Sequence, residues 1–285
     1  MHGTGAPLLT PFDDEGDVDH DALRELATWL TDAGVDFLVP CGSTSEAPLL
    51  TPDERERVVA TVADAVDCPV VAGTGTEGLR ASVQAAERAA AAGADAVLAV
   101  TPHYYDYGQE ALAEFYRDLA DDSPVPVYLY SVPPYTDVAL EPETVAAVAD
   151  HDNVAGIKDS SGDLTRLQRT IAGVPEDFDV FVGSGSVYAL GLDAGATGGI
   201  VAISNVTPER ASEVYRRYRD GDEAEARRIN RDLIDLEQAL VVHGAPGFKA
   251  GARARGQPAG RARRPFRPLD DEAREEIAAL VAERT

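Results

Sequence analysis

Lysine is almost absent from this chain: Lys158 and Lys249 are the only two among 25 cationic side chains, and arginine supplies the rest. Positive charge as a whole is scarce, with 25 basic against 50 acidic residues and a formal net charge of -25. Such a surface cannot neutralise phosphates, which excludes nucleic acid and disfavours anionic membranes as partners. Cys41 and Cys68 are the only cysteines, too few for a disulfide framework and not at metal-ligand spacing, so a reducing compartment is expected. The five histidines, His2, His20, His103, His151 and His243, are scattered with no pair at i and i+4, which argues against a metal site. No G-x-S-x-G elbow follows a strand, so serine-hydrolase chemistry has no foothold. No uncharged apolar run is long enough to span a bilayer, and Met1–Gly5 is not followed by a signal-like segment; a cytoplasmic protein is expected.

What is present is a chain of 285 residues, 44% hydrophobic, large enough for a single sizeable core. An acidic, lysine-poor composition suits molar salt, where screening over a few ångströms suppresses self-repulsion. A halophile's protein is the resulting hypothesis; cooperative folding and full activity in very dilute buffer would count against it.

Apolar runs alternate with helical spacing from one end to the other. Runs at 5–10, 36–42, 69–73, 96–101, 125–132, 154–158, 179–183 and 199–204 read as strands, separated by amphipathic segments such as 19–33, where Leu23, Leu26, Ala27 and Leu30 share a face. Thr51-Pro52-Asp53-Glu54 carries the signals of a helix start: an N-cap threonine, proline at the first position and acid in the first turn. Uniformly apolar strands imply a parallel sheet covered by helices, and eight such units predict a closed (β/α)8 TIM barrel. Residues 1–206 hold the strands and the catalytic face. Residues 207–285 turn to helix only, the last barrel helix followed by an appended C-terminal helical subdomain packed on the barrel or on another subunit. The arginine-, glycine- and proline-rich stretch 253–267 reads as a solvated loop that offsets acidic neighbours.

Gly73-Thr74-Gly75-Thr76-Glu77-Gly78 matches a dinucleotide fingerprint, but it follows the third of eight strands, where any strand-to-helix turn favours glycine, and no dinucleotide is expected. The stronger signal is Val154 to Gly162, an apolar run that delivers Lys158 and then turns. Guanidinium cannot act as a nucleophile, whereas a neutral amine attacks carbonyls to form a Schiff base. Barrel enzymes do chemistry where the strands end. That rim gathers Ser43 and Thr44 after the second strand, Tyr104 after the fourth, Tyr130 in the fifth, Lys158 in the sixth and Ser184 in the turn after the seventh, Gly183-Ser184-Gly185-Ser186.

With these residues placed, the chain resembles the pyruvate-dependent class I aldolase family that includes dihydrodipicolinate synthase, N-acetylneuraminate lyase and 2-keto-3-deoxygluconate aldolase. The motifs that carry the resemblance are Gly42-Ser43-Thr44-Ser45-Glu46, Thr101-Pro102-His103-Tyr104, Tyr130-Ser131-Val132-Pro133 and Gly156-Ile157-Lys158-Asp159. The resemblance implies a Schiff-base lysine at Lys158 and a proton-moving tyrosine at Tyr130. It implies carboxylate binding by Ser43 and Thr44, with Thr44 linked to Tyr104, which in some members reaches a neighbouring subunit's site. Ser184 and Val201 would line the pyruvate pocket, no metal or external cofactor would be needed, and the assembly would be a homotetramer. Synthases carry an arginine two residues after the Y-N-V-P motif, where this chain has Tyr135; Ser45 replaces a usual glycine and Ser131 a usual asparagine, which suggests a remodelled second-substrate pocket. Val182-Gly183-Ser184-Gly185 and Ala202-Ile203-Ser204-Asn205 are similar to the sugar-acid aldolases. The expected reaction is reversible cleavage of a 2-keto-3-deoxy sugar acid such as 2-keto-3-deoxygluconate to pyruvate and an aldehyde. The synthase and N-acetylneuraminate lyase are the alternatives, and a barrel that only binds a keto acid is the non-enzymatic one.

Overall fold

Strands that are apolar on both faces cannot leave either face in water, and in the computed structural model, which describes residues 1–285, they close on themselves beneath a layer of helices. The strands are β1 (Gly3–Ala6), β2 (Phe37–Leu38), β3 (Val71–Gly73), β4 (Ala96–Val100), β5 (Val127–Ser131), β6 (Val154–Asp159), β7 (Asp179–Val182) and β8 (Gly198–Ile200). All pair in parallel in the order β2-β1-β8-β7-β6-β5-β4-β3. Between β2 and β3 the ring is completed by Leu38 N–H donating to the Pro69 carbonyl (3.0 Å) and Gly73 N–H to that of Pro40 (2.9 Å).

Alternation along each strand separates two cores. Phe37, Val71, Leu98, Tyr128, Tyr130, Phe181 and Ile200 fill the barrel interior, while the intervening residues pack outward beneath the helices. Room for the interior aromatics comes from missing side chains: a Cβ on Gly5 would stand 2.3 Å from the Phe37 ring. At the bottom of the barrel the Tyr128 hydroxyl donates to Asp179 Oδ2 (2.7 Å).

The helices are α1 (His20–Asp32), α2 (Pro52–Ala65), α3 (Leu79–Ala91), α4 (Gln109–Asp122), the short α5 (Pro133–Thr136), α6 (Pro142–Val148), α7 (Leu164–Gly173), α8 (Tyr188–Asp193), α9 (Pro208–Arg219), α10 (Glu223–His243), α11 (Ala245–Ala254) and α12 (Asp271–Arg284). Helix α1 buries Leu23, Leu26, Ala27 and Leu30, the face its spacing predicts. Helix α2 opens on a full capping box, Thr51 taking the Glu54 N–H while Glu54 takes that of Thr51. Helix α10 packs against α9, α11 and α12 and against the turn after β7. No helix is long and apolar enough to cross a membrane.

Three expectations need correction. The first strand spans Gly3–Ala6, earlier than 5–10, because Pro7 and Pro11 lack the N–H a ladder needs. The last strand stops at Ile200, since Ala202–Asn205 curls into a 3-10 turn. The stretch 253–267 is no free solvated loop: Ala259 is fully buried, Arg261 N–H bonds the Phe12 carbonyl (3.0 Å), and Arg263 reaches back to Glu54.

Candidate active site

Lys158 lies on the inner face of β6, in register with Tyr130 of β5 and Phe181 of β7. The inward direction follows from alternation: Ile157 belongs to the outer core, and a Cβ on Gly156 would meet the interior Tyr128 ring. The side chain is 5% exposed and its Nζ stands 4.4 Å from the centre of the Tyr130 ring. No carboxylate lies within ion-pairing distance of that amine; the lysine that pairs with one is Lys249, against Glu46. Next to it, Asp159 is buried with its carboxylate accepting the Ser161 N–H (2.7 Å), and burial pushes its pKa up.

The turn after β2 is held from behind. Cys41 and Glu46, both at φ 60°, adopt the left-handed conformation that non-glycine residues resist, and they bracket Gly42–Ser45. Ser45 Oγ donates to the Leu8 carbonyl (2.5 Å) and accepts the Gly42 N–H (3.1 Å). The N–H groups and hydroxyls of Ser43 and Thr44 bond to nothing within the chain, and both residues are half-buried. A similar support lies behind Gly183–Ser186. Glu237 of α10 accepts the Gly185 N–H (2.9 Å) and the Ser186 hydroxyl (2.9 Å), and Asn230 donates to the Gly185 carbonyl (2.7 Å). A Cβ on Gly185 would lie 2.4 Å from Glu237 Oε1, so any side chain there would push that carboxylate off its hydrogen bonds. Ser184 itself is half-buried at the strand end.

The other rim residues divide. Tyr104 is 76% exposed, stacked edge-on against Tyr105 (5.1 Å between ring centres), and stands out in solvent rather than beside Lys158 within one chain. Its loop is tied down by Glu77, whose carboxylate accepts the His103 and Tyr104 N–H groups, both at 2.9 Å. That tether is the work of the G-x-G-x-x-G segment, and a cavity of about 350 Å³ lies outside the barrel between α2 and α3, away from Lys158. The Val201 side chain is fully buried in the outer core, so only its backbone belongs to the rim. Tyr135, in α5, is 67% exposed, yet partial desolvation and then the nearby Tyr130 push its pKa up.

Two substitutions read as pocket changes have other work. Ser45 staples its own turn, and Ser131 faces outward, its hydroxyl accepting the Leu140 N–H (3.2 Å). Sequence reasoning missed Ser160, two residues past Lys158 and on the same side of the chain. Its hydroxyl is buried with no partner and would lie 1.9 Å from a Cβ on Gly183. It also missed Glu46, Lys249 and Glu237, whose partners are far away in sequence.

The Dihydrodipicolinate synthetase family model matches residues 1–284. An uncharacterized DapA-like lyase of Halobacterium salinarum is 40% identical over 99% of this chain and 94% of its own. Among solved structures, dihydrodipicolinate synthase from Thermotoga maritima superposes with a TM-score of 0.96 at 31% identity, covering 100% of this chain and 98% of that one. YagE, a prophage protein of the dihydrodipicolinic acid synthase family from E. coli K12 solved in complex with pyruvate, gives 0.95 at 29% identity, with 99% and 98% covered. A barrel with a solitary inward lysine and relatives matched end to end leave one assignment: the chain belongs to the dihydrodipicolinate synthetase family of pyruvate-dependent lyases.

Proposed function

We propose that the protein is a class I aldolase that reversibly cleaves a 2-keto-3-deoxy sugar acid to pyruvate and an aldehyde. Enzymes of the family carry their substrate as a covalent lysine imine without an external cofactor. The observation that carries the reading is Lys158, an amine inside the barrel with no carboxylate beside it and the Tyr130 ring against it.

The chemistry follows from that placement. The Lys158 amine adds to the keto carbon, and loss of water gives a protonated imine. Its positive nitrogen draws electrons from the adjacent bonds. When a base takes the proton of the C4 hydroxyl, the C3–C4 pair flows into an enamine and C4 leaves as the aldehyde. Tyr130 is the group positioned to take that proton. Protonation of the enamine at C3 and hydrolysis release pyruvate and the free amine. Ser43 and Thr44, with unengaged N–H groups and hydroxyls, are the carboxylate seat, and Ser184 and the Val201 backbone line the pocket. Tyr104, facing solvent, serves a neighbouring subunit of a tetramer rather than its own chain.

Two features favour a sugar acid over the aldehyde of the synthase reaction. Tyr135 stands where that reaction needs a guanidinium for a second carboxylate, and the unpartnered Ser160 hydroxyl offers a hydrogen bond to a hydroxyl-bearing substrate. Borohydride reduction with pyruvate, followed by mass spectrometry, should add a pyruvate-derived mass to Lys158; label on Lys249 alone, or none, defeats the mechanism and leaves only a keto-acid-binding barrel. Comparison of 2-keto-3-deoxygluconate cleavage with condensation of pyruvate and aspartate semialdehyde tests the substrate, and faster condensation makes it a synthase. The -25 charge fits activity in concentrated salt.

A further inference from the structure

The second lysine is as deeply placed as the first and has no part in the imine chemistry. Lys249, in α11, is 0% exposed. Its Nζ meets Glu46 Oε1 at 2.5 Å, donates to the Arg261 carbonyl (2.6 Å) and lies 4.4 Å above the Phe12 ring. The other carboxylate oxygen of Glu46 accepts the Arg263 N–H at 2.8 Å. Glu46 is therefore gripped on both oxygens by the C-terminal segment, although it belongs to the turn after β2, two residues from Thr44.

We infer that Lys249 is a positioning residue: through its ion pair with Glu46 it holds the Gly42–Glu46 turn in the shape that presents Ser43 and Thr44 to the substrate carboxylate. The inference rests on the carboxylate-seat reading given above. Three observations meet here. Glu46 sits at φ 60°, ψ 33°, a backbone conformation that persists only when its surroundings impose it. The turn's own hydrogen bonds, Ser45 N–H to the Gly42 carbonyl (3.2 Å) and Glu46 N–H to that of Ser43 (3.1 Å), lie at the far end of the ordinary range. And the chain, which uses arginine everywhere except at Lys158 and Lys249, keeps a compact ammonium in a fully enclosed space bounded by a carboxylate, a carbonyl and the Phe12 ring. Burial pushes the Lys249 pKa down to about 8 even against the pull of Glu46, a mark of how little water reaches the pair. An ion pair placed so far from solvent is weak evidence for added stability, which makes a role in geometry the better account.

The test is the pyruvate concentration that half-saturates borohydride trapping at Lys158. Lys249→Met strands the Glu46 charge and can unfold the protein, so it is paired with Lys249→Met/Glu46→Gln, which removes both charges at similar volume. A folded variant, judged by circular dichroism, should need at least about tenfold more pyruvate for half-trapping, with the same extent of labelling at saturation. Half-saturation within about twofold of the wild type in either folded variant overturns the proposal. A structural role alone would lower the melting temperature without moving this concentration. If wild-type Lys158 takes no label at all, the aldolase reading itself has failed and takes the proposal with it, an outcome read before any variant is made.

Discussion

Acid should loosen the C-terminal segment at one identifiable carboxylate. Glu54 receives both arms of the Arg263 guanidinium (2.9 and 2.6 Å) as well as the Thr51 N–H (2.8 Å), and the two side chains are 17% and 13% exposed. The Arg263 hydrogen bonds hold its pKa down, from an ordinary 4.5 to about 2, against burial, which acts the other way. A carboxylate whose pKa is depressed by folding contributes stability that is complete above 4.5 and disappears as the pH falls toward 2. At 1.36 kcal/mol per pH unit that interval is worth ~3 kcal/mol. Screening at the barrel rim reduces it to ~1–2 kcal/mol. Denaturant unfolding of the wild type and Glu54→Gln at fixed salt, from pH 6 downward, isolates the effect, because the other carboxylates titrate alike in both. The stability gap should narrow by about 1–2 kcal/mol as the pH drops from 5 toward 2.5. A gap that stays constant across this range would refute the assignment of the depressed pKa to Glu54.

Three further outcomes follow from the site. Tyr130→Phe should lower kcat for cleavage by about 10²–10⁴ while pyruvate still traps on Lys158, as expected for loss of proton transfer alone; an unchanged kcat removes Tyr130 from the reaction. Tyr135→Arg should lower KM for an aldehyde that carries its own carboxylate by about tenfold, and no change would mean that this position does not face the second substrate. Ser160→Ala should cost about 1–3 kcal/mol in kcat/KM for a polyhydroxylated keto acid but little for pyruvate trapping; equal losses would make Ser160 a packing residue.

The parts of the fold legible in the sequence are those set by local pattern. Alternating apolar runs and helices sufficed for eight parallel strands, and Leu23, Leu26, Ala27 and Leu30 marked the buried face of α1. The proximity of Tyr130 and Lys158 was legible because neighbouring strands of a barrel share a register. What could not be read was which way a rim residue points. Val201 and Ser131 sit at strand ends like Tyr130 and Lys158, but pleating turns them outward, and one residue of register decides it. Nor could the sequence reveal contacts across long separations. Arg263 looked like a solvent residue in a glycine- and proline-rich stretch because its partner Glu54 lies 209 residues away.

The economy of lysine now has a physical reason. Arginine handles the surface, where a fork that stays charged pairs well with abundant carboxylates and nothing asks it to release a proton. The two positions that keep lysine are both buried, and each suits the smaller head: at Lys158 because the proposed reaction asks an amine to become a nucleophile, at Lys249 because a compact ammonium fits among a carboxylate, a carbonyl and an aromatic ring. Lys158→Arg and Lys249→Arg would therefore fail for different reasons, the first by abolishing imine formation in a barrel that still folds, the second by forcing a planar group into a filled space behind the turn. Charge conservation protects neither, since what each position selects is the shape and chemistry of a primary amine rather than its positive sign.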